Sequence, residues 1–253
     1  MTTTEEFAGQ VVTDIAATFS GVMSNIGHKL GLYKAMAGAG AITSLTLANK
    51  TNTHERYIRE WLNNQVAGGY VFWDKDNNTY ELPDEHIPVL VDEESPVFLL
   101  PALDVASSLW LDEDKVKNVF LSGEGIAWSE HHHRLFCGSE ALFRPGYKAH
   151  LADTWIQALK GMDEKLKVGA KVADIGCGHG ASTIVLASSY RQSTFFGIDS
   201  HEESIDIART KAKEAGVSEN IRFYTASAKE YTDSGFDLIC FMDCLHDMGD
   251  PVG

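Results

Sequence analysis

The residues best equipped for chemistry lie in the last third of the chain. Asp174 is followed by Gly176, Gly178 and Gly180 at alternate positions, with Cys177 and His179 between them. Alternating glycines let the backbone turn sharply and let a ligand come close to the main chain. Ala181 to Tyr190 then reads as a helix. A helix start offers unpaired N–H groups and the positive end of a dipole, which suits a carboxylate or phosphate. Further on, Asp199 closes the run Thr194-Phe195-Phe196-Gly197-Ile198-Asp199. Nucleotide-binding α/β units place a carboxylate there against ribose hydroxyls. A third reactive group, Asp243-Cys244-Leu245-His246-Asp247, follows another apolar run.

These groups need a frame, and the surrounding pattern supplies one. Val172 to Ile175 reads as a short buried strand, and Thr194 to Asp199 as a second. Glu202 to Ala215 is an amphipathic helix with Ile205, Ala208 and Ala212 turned inward and Gly216 as its stop. Ile221 to Ala226 is a third strand, and Asp237 to Met242 a fourth, apolar on both faces. Strands alternating with helices indicate a parallel α/β sheet.

Spacing separates two cofactor classes. A dinucleotide fingerprint reads G-x-G-x-x-G, whereas this loop reads D-x-G-x-G-x-G. The stretch resembles the first motif of class I S-adenosylmethionine-dependent methyltransferases. The resemblance implies that Asp174 with Gly176, Gly178 and Gly180 wraps the methionine end of S-adenosyl-L-methionine. It implies that Asp199, with Ser200 beside it, binds the ribose. Ser227 and Ala228 fall where the family contacts the adenine ring, although many members carry an acid there. In this fold the fourth strand lies beside the first, and ligands bind in the crevice at their carboxyl ends. Asp243 emerges there and is assigned to the cofactor. Cys244-Leu245-His246-Asp247-Met248 resembles the His-Asp segment of small-molecule O-methyltransferases. That implies His246 as the general base toward an acceptor hydroxyl, with Asp247 beside it. Histidine suits the role because its ordinary pKa lies near neutrality. Methyl transfer is an in-line displacement, so most of the rate must come from aligning the reactants.

Upstream, Phe7 to about Met36 is helical in pattern, with Val11, Ile15, Phe19, Val22, Met23 and Ile26 at three- and four-residue steps. A second helix covers about Thr43 to Asn49. A third follows Thr53 as N-cap, with Tyr57, Ile58, Trp61, Leu62 and Val66 on one face. Tyr70 to Trp73 and Thr79 to Leu82 flank an Asn-rich turn and read as a hairpin. Three helices and a hairpin describe a winged helix-turn-helix. Glu55 and Glu60 offset Arg56 and Arg59 on its third helix, which favours an assembly module over a DNA reader. Pro83 to Pro101 is a loop with an acidic run, Asp92-Glu93-Glu94, and helical patterns return through Val119. Glu124 to Tyr147 is rich in aromatics and histidines. His131, His132 and His133 on a helix would point about 100° apart and could not converge on one ion, so no metal is expected. Asp153 to about Lys160 is a further helix, and Gly161 to Ala170 leads to the first strand of the sheet.

Composition bounds the rest. The 253 residues carry 44% hydrophobic and 23% charged side chains, ordinary for a globular protein. A formal charge of −15 disfavours nucleic-acid binding. The polar, acidic start is not a signal peptide, no run is long enough to span a bilayer, and Cys137, Cys177, Cys240 and Cys244 form no CxxC pair. These features point to a cytoplasmic protein with free thiols. The whole chain resembles the two-domain methyltransferases of the mycobacterial and invertebrate type. In these, Thr53 to Leu62 belongs to the winged module and Phe143 to Tyr147 to the connector.

The expected architecture is an α+β winged helix-turn-helix assembly domain (1–100) and a helical linker covering the pocket (101–165). A Rossmann-like α/β methyltransferase domain (166–253) follows. A complete domain of this family has seven strands, whereas this chain supplies four, leaving the fourth as an apolar edge of the kind native proteins avoid. The sequence is therefore expected to be a fragment or an incomplete gene model. The expected partners are a small-molecule methyl acceptor and a second copy through the N-terminal domain. Two alternatives stand beside the methyltransferase: a winged-helix transcriptional regulator with a cofactor-sensing domain, and a catalytically inactive fragment.

Overall fold

The computed structural model describes residues 2–251; Val252 and Gly253, at the end of the last expected domain, lie outside them. Residues up to Asp104 and those from Val105 form two compact units.

The first unit opens on α1 (Thr4–Lys29). Its start is a reciprocal cap. The Thr3 hydroxyl accepts the Glu6 N–H at 3.2 Å, and the Glu6 carboxylate accepts the Thr3 N–H at 2.7 Å. The sequence suggests one helix through Met36, but Gly31 adopts a left-handed conformation (φ 68°) and a separate α2 (Leu32–Met36) starts there. α3 (Ser44–Thr51) is capped by the Thr43 hydroxyl. In α4 (Glu55–Ala67) the N-cap is His54, not Thr53, whose hydroxyl instead meets that of Thr51 at 2.8 Å. Ile58, Trp61 and Leu62 are buried on α4 as expected. Tyr57, grouped with them in the sequence, is 74% exposed, because it sits about 100° around the helix from Ile58. β1 (Phe72–Asp74) and β2 (Thr79–Glu81) pair antiparallel as the wing. Their turn is fastened by Asp74, whose carboxylate accepts the N–H groups of Asp76 and Asn77. α5 (Ile87–Leu90) follows. Leu32, Tyr33, Met36, Leu47, Trp61 and Leu62 form the centre of this core. Trp61 packs so closely on Gly27 that a Cβ there would lie 2.4 Å from its ring.

Then come α6 (Ala102–Leu111), α7 (Glu113–Ser122) and α8 (His133–His150). α8 carries Pro145 in its interior, where no N–H is available for the carbonyl one turn back. A wide turn, Leu151–Trp155, leads to α9 (Ile156–Ala158), shorter than the helix read at 153–160. The 161–170 lead-in folds as α10 (Met162–Val168).

The sheet contains β3 (Lys171–Ile175), β4 (Thr194–Asp199), β5 (Ile221–Thr225) and β6 (Leu238–Phe241) in the order β5-β4-β3-β6. All its pairings are parallel. Two helices connect the first three strands, α11 (Ala181–Ser189) and α12 (Glu202–Glu214). Val172, Phe195, Leu186, Ile205, Ala208 and Ile221 fill one face. Ala173, Ile175 and Ile198 line the other, with Phe196, Tyr231 and Phe236 against them. Gly197 lies under the Phe223 ring, where a Cβ would approach to 2.4 Å. This is a Rossmann-like sheet with its order reversal between β3 and β6, the place such folds bind ligands.

Candidate functional site

Three segments converge on the carboxyl ends of β3, β4 and β6. The glycine turn leaves β3 and crosses at once to β4, because the N–H groups of Gly176 and Cys177 donate to the Ile198 carbonyl at 2.7 and 3.1 Å. Gly176, Gly178 and Gly180 all have positive φ, but they do different work. A Cβ on Gly176 would sit 2.6 Å from the Cys244 sulfur, and one on Gly180 would sit 2.9 Å from Phe223. Those two glycines allow close packing. A Cβ on Gly178 would meet nothing within 4 Å, so Gly178 is the one that faces open space.

Asp199 is joined directly to that glycine. Its Oδ2 accepts the Gly178 N–H and its Oδ1 accepts the His201 N–H, each at 2.8 Å. Each oxygen keeps further acceptor capacity, which matches the two hydroxyls of a ribose diol.

Asp174 is fully buried. The Ser182 and Thr183 hydroxyls both donate to its Oδ2 at 2.6 Å. Among the described residues its Oδ1 has no partner. Burial pushes this carboxyl above the usual range, against the opposing effect of the two hydroxyls. A buried carboxylate oxygen without a donor suits a cationic group. The acceptor capacity left on these two carboxylates is of the kind an adenosyl sulfonium compound would need, a diol at Asp199 and positive charge at Asp174.

The third segment follows β6. Asp243 adopts a left-handed conformation (φ 56°), and the Cys244 thiol donates to the Ile175 carbonyl at 3.0 Å, pinning this loop over β3. His246 is exposed, its Nε2 3.4 Å from Asp247 and its Nδ1 3.9 Å from Asp243. A hollow of about 450 Å³ opens beside it, lined by Phe241, Asp243, Cys244, Leu245, His246 and Pro251. Burial pushes the Cys240 and Cys244 thiols up to about 12. They stay protonated near neutrality and are poor nucleophiles. Of the remaining sequence-assigned residues, Ser200 and Ala228 are exposed, and the Ser227 hydroxyl donates to Glu230 at 2.8 Å.

The aromatic, histidine-rich stretch 124–147 lies within the helical linker expected over 101–165. Its second part is α8, which packs on α11 and reaches the segment after β4. Phe136 packs on the His201 ring at 4.8 Å. Glu140 pairs with Lys211 of α12 at 3.0 Å. Tyr147 is buried, and burial followed by the nearby carboxylates of Asp174 and Asp243 pushes its hydroxyl pKa up. His179 of the glycine turn is buried against this helix, with burial lowering its pKa beside Lys211 and Glu140. The spacing Phe136, Glu140, Phe143, Tyr147 is a helical stripe, but Pro145-Gly146 obscures it in the sequence. Of the three adjacent histidines only His133 lies within α8. His132 caps α8, accepting the Arg134 N–H at 3.2 Å, and His131 faces Asp112.

A parallel sheet of this order with a glycine turn, an acid closing β4 and a loop over the switch point defines the class I methyltransferase fold. Comparison with known proteins agrees. Residues 18–91 match the Rv2258c-like winged HTH domain, and residues 166–253 match the methyltransferase domain family. The chain thus joins a winged helix-turn-helix domain of that type to a methyltransferase domain.

Over 125 residues it is 30% identical to 27-O-demethylrifamycin SV methyltransferase of Amycolatopsis mediterranei, covering 49% of this chain and 44% of that one. Over 80 residues it is 29% identical to the fatty-acid O-methyltransferase of Mycolicibacterium smegmatis, covering 31% and 28%. The chain spans less than half the length of these curated relatives. Human N-acetylserotonin methyltransferase, solved with its methyl donor, superposes with a TM-score of 0.62 at 18% identity, covering 99% of this chain and 74% of that one. That likeness is one of fold.

Proposed function

We propose that the chain is an S-adenosylmethionine-dependent methyltransferase that acts on a hydroxyl of a small molecule. The junction of Asp199 with Gly178 carries the reading, because it holds a diol-binding carboxylate against the open side of the glycine turn. Asp174 takes the positive end, with the buried Tyr147 of α8 close enough to feel its charge. When bound, S-adenosylmethionine supplies a methyl group on a positively charged sulfur. The chain's own part is alignment and proton removal. His246 takes the proton of the acceptor hydroxyl, and Asp247 at 3.4 Å steadies the ring.

Titration calorimetry with S-adenosylhomocysteine tests the cofactor site. Each hydrogen bond to a charged group contributes about 1.5–3 kcal/mol. Asp199→Ala should therefore weaken binding at least tenfold; unchanged affinity would remove the basis of the proposal.

For the first unit, assembly is favoured over reading duplex DNA. Arg59 is paired with Glu55 at 2.6 Å and Arg56 with Glu60, so both helix cations are already neutralised. Phe7, Val11, Ile15, Phe19, Val22 and Ile26 leave an exposed apolar stripe along α1, which supports a homodimer. Four free cysteines support a reducing, cytoplasmic setting. Among the described residues no helix is long and apolar enough to cross a membrane.

A further inference from the structure

His201 occupies a position that its residue type does not suit. It is the N-cap of α12, yet its side chain makes no capping hydrogen bond to the helix. Serine, threonine, aspartate or asparagine ordinarily serves there. The imidazole is nevertheless held on several sides. Its Nδ1 lies 2.8 Å from the hydroxyl of the buried Ser204. The Phe136 ring of α8 packs against it at 4.8 Å, and Trp128 backs Phe136 at 5.3 Å. The Glu203 carboxylate stands 3.9 Å from Nε2, and only 13% of the His201 side chain is exposed.

This ring braces the main chain beside Asp199. Two main-chain donors orient the Asp199 carboxylate, the Gly178 N–H on Oδ2 and the His201 N–H on Oδ1, each at 2.8 Å. The first belongs to the glycine turn, which is fixed in turn by two hydrogen bonds to the Ile198 carbonyl. The second closes an aspartate turn, in which a side chain accepts the N–H two residues on, and it is as steady as residue 201 itself. Ser200, between them, is exposed, so His201 anchors this short loop on the α8 side. A ribose diol takes both oxygens of one carboxylate at once, so tilting the carboxylate plane weakens at least one of the two contacts.

We propose that His201 is a positioning residue for ribose recognition: its ring, held by Ser204 and Phe136, fixes the N–H that orients Asp199 and so ties α8 to the cofactor site. The proposal rests on the methyltransferase reading and adds a residue that acts on the ribose through Asp199, without touching it.

Displacement calorimetry with S-adenosylhomocysteine and its 2′,3′-dideoxy analogue tests it, because the ratio of the two dissociation constants isolates the diol contact. His201→Ala should shrink that ratio about tenfold, most of one charge-assisted hydrogen bond, and leave the analogue's affinity within about twofold of the parent. Ser204→Ala removes the Nδ1 partner and should shrink the ratio about threefold in the parent, with no further effect once residue 201 is alanine. An unchanged ratio in His201→Ala, or equal weakening of both ligands, would overturn the proposal; the second result would mark a general loss of structure. Additive effects of the two substitutions would also overturn it, since Ser204 would then act by another route. Should His201→Ala fail to fold, the ratio in Ser204→Ala decides. A parent chain that binds both ligands equally would overturn the proposal and leave the cofactor class standing, whereas one that binds neither would defeat the methyltransferase reading as well.

Discussion

Asp174→Asn separates a carboxylate kept for a ligand from one kept for the fold, because the two roles give opposite signs. In the ligand-free chain Asp174 is buried, takes two hydroxyls on one oxygen and leaves the other unpartnered. A buried polar group without a partner costs about 1–3 kcal/mol, and more when charged. Against this stands the favourable interaction of a negative charge with the start of α11, about 0.3–1 kcal/mol. Asparagine keeps an oxygen for Ser182 and Thr183 and removes the charge, so the net change should be about 1–2 kcal/mol of added stability. For a unit of this size that raises the melting temperature by about 2–8 °C.

The pH dependence has the same origin. The folded carboxyl titrates above the unfolded one, so the folded chain holds the proton more tightly. Stability is therefore greatest below the unfolded aspartate pKa of about 3.9 and falls as pH rises into the raised range. At neutral pH the penalty is fully present, and Asp174→Asn should flatten that slope. Binding should move the other way. Losing a charge-assisted contact of about 1.5–3 kcal/mol weakens S-adenosylmethionine by roughly 10- to 150-fold. Thermal unfolding with and without ligand reads both effects on one sample, since ligand stabilisation follows its concentration relative to Kd. A variant that melts lower without ligand, or that keeps the parent's ligand-induced shift, would refute the assignment.

Three further outcomes follow from the site. Gly178→Ala should cost only about 1–2 kcal/mol of backbone strain while abolishing measurable S-adenosylhomocysteine binding in calorimetry. Gly180→Ala, whose Cβ would meet Phe223 at 2.9 Å, should lower the melting temperature by more than Gly178→Ala does. His246→Asn should lower kcat by about 10²- to 10⁴-fold and leave S-adenosylhomocysteine affinity within about twofold of the parent. Lys115 beside Asp112 holds that carboxyl down to about 2, with the His132 N–H adding to the effect. Its contribution is present above the unfolded pKa of about 3.9 and is lost as pH falls toward about 2. Trp128 fluorescence should show an acid transition in that window, and Asp112→Asn should remove it.

The sheet was legible because its strands are short, apolar and punctuated by glycine. The residues of β4 are those read from the sequence, and α12 stops at Glu214, just before Gly216, which turns left-handed (φ 66°) and serves as the stop read there. Asp199 was legible because its position depends on chain spacing, not on tertiary context. Other features depend on contacts that no single segment reveals. The division of labour among the three glycines is set by Cys244 and Phe223, which lie on other elements. Tyr57 looked like a core residue because an aromatic near a helical face is ambiguous by one position. Gly31 broke an apparently continuous helix because apolar periodicity persists across a bend. The linker is legible as helical but the extent of α8 is not, because Pro145-Gly146 reads locally as a break and is overridden by packing on α11 and the ion pair to α12.

Because α8 meets the residue after β4 through Phe136 and carries Tyr147 into the core that holds Val172 of β3, its length sets a gauge. Eleven residues of helix reach about 16 Å. Three adjacent strands cover roughly 10 Å at ordinary strand spacing. A single residue inserted between Glu140 and Tyr147 would advance one end by about 1.5 Å and swing it about 100° around the axis. Homologous chains could therefore vary freely in the loop before His133 yet tolerate no change in the count between those two side chains.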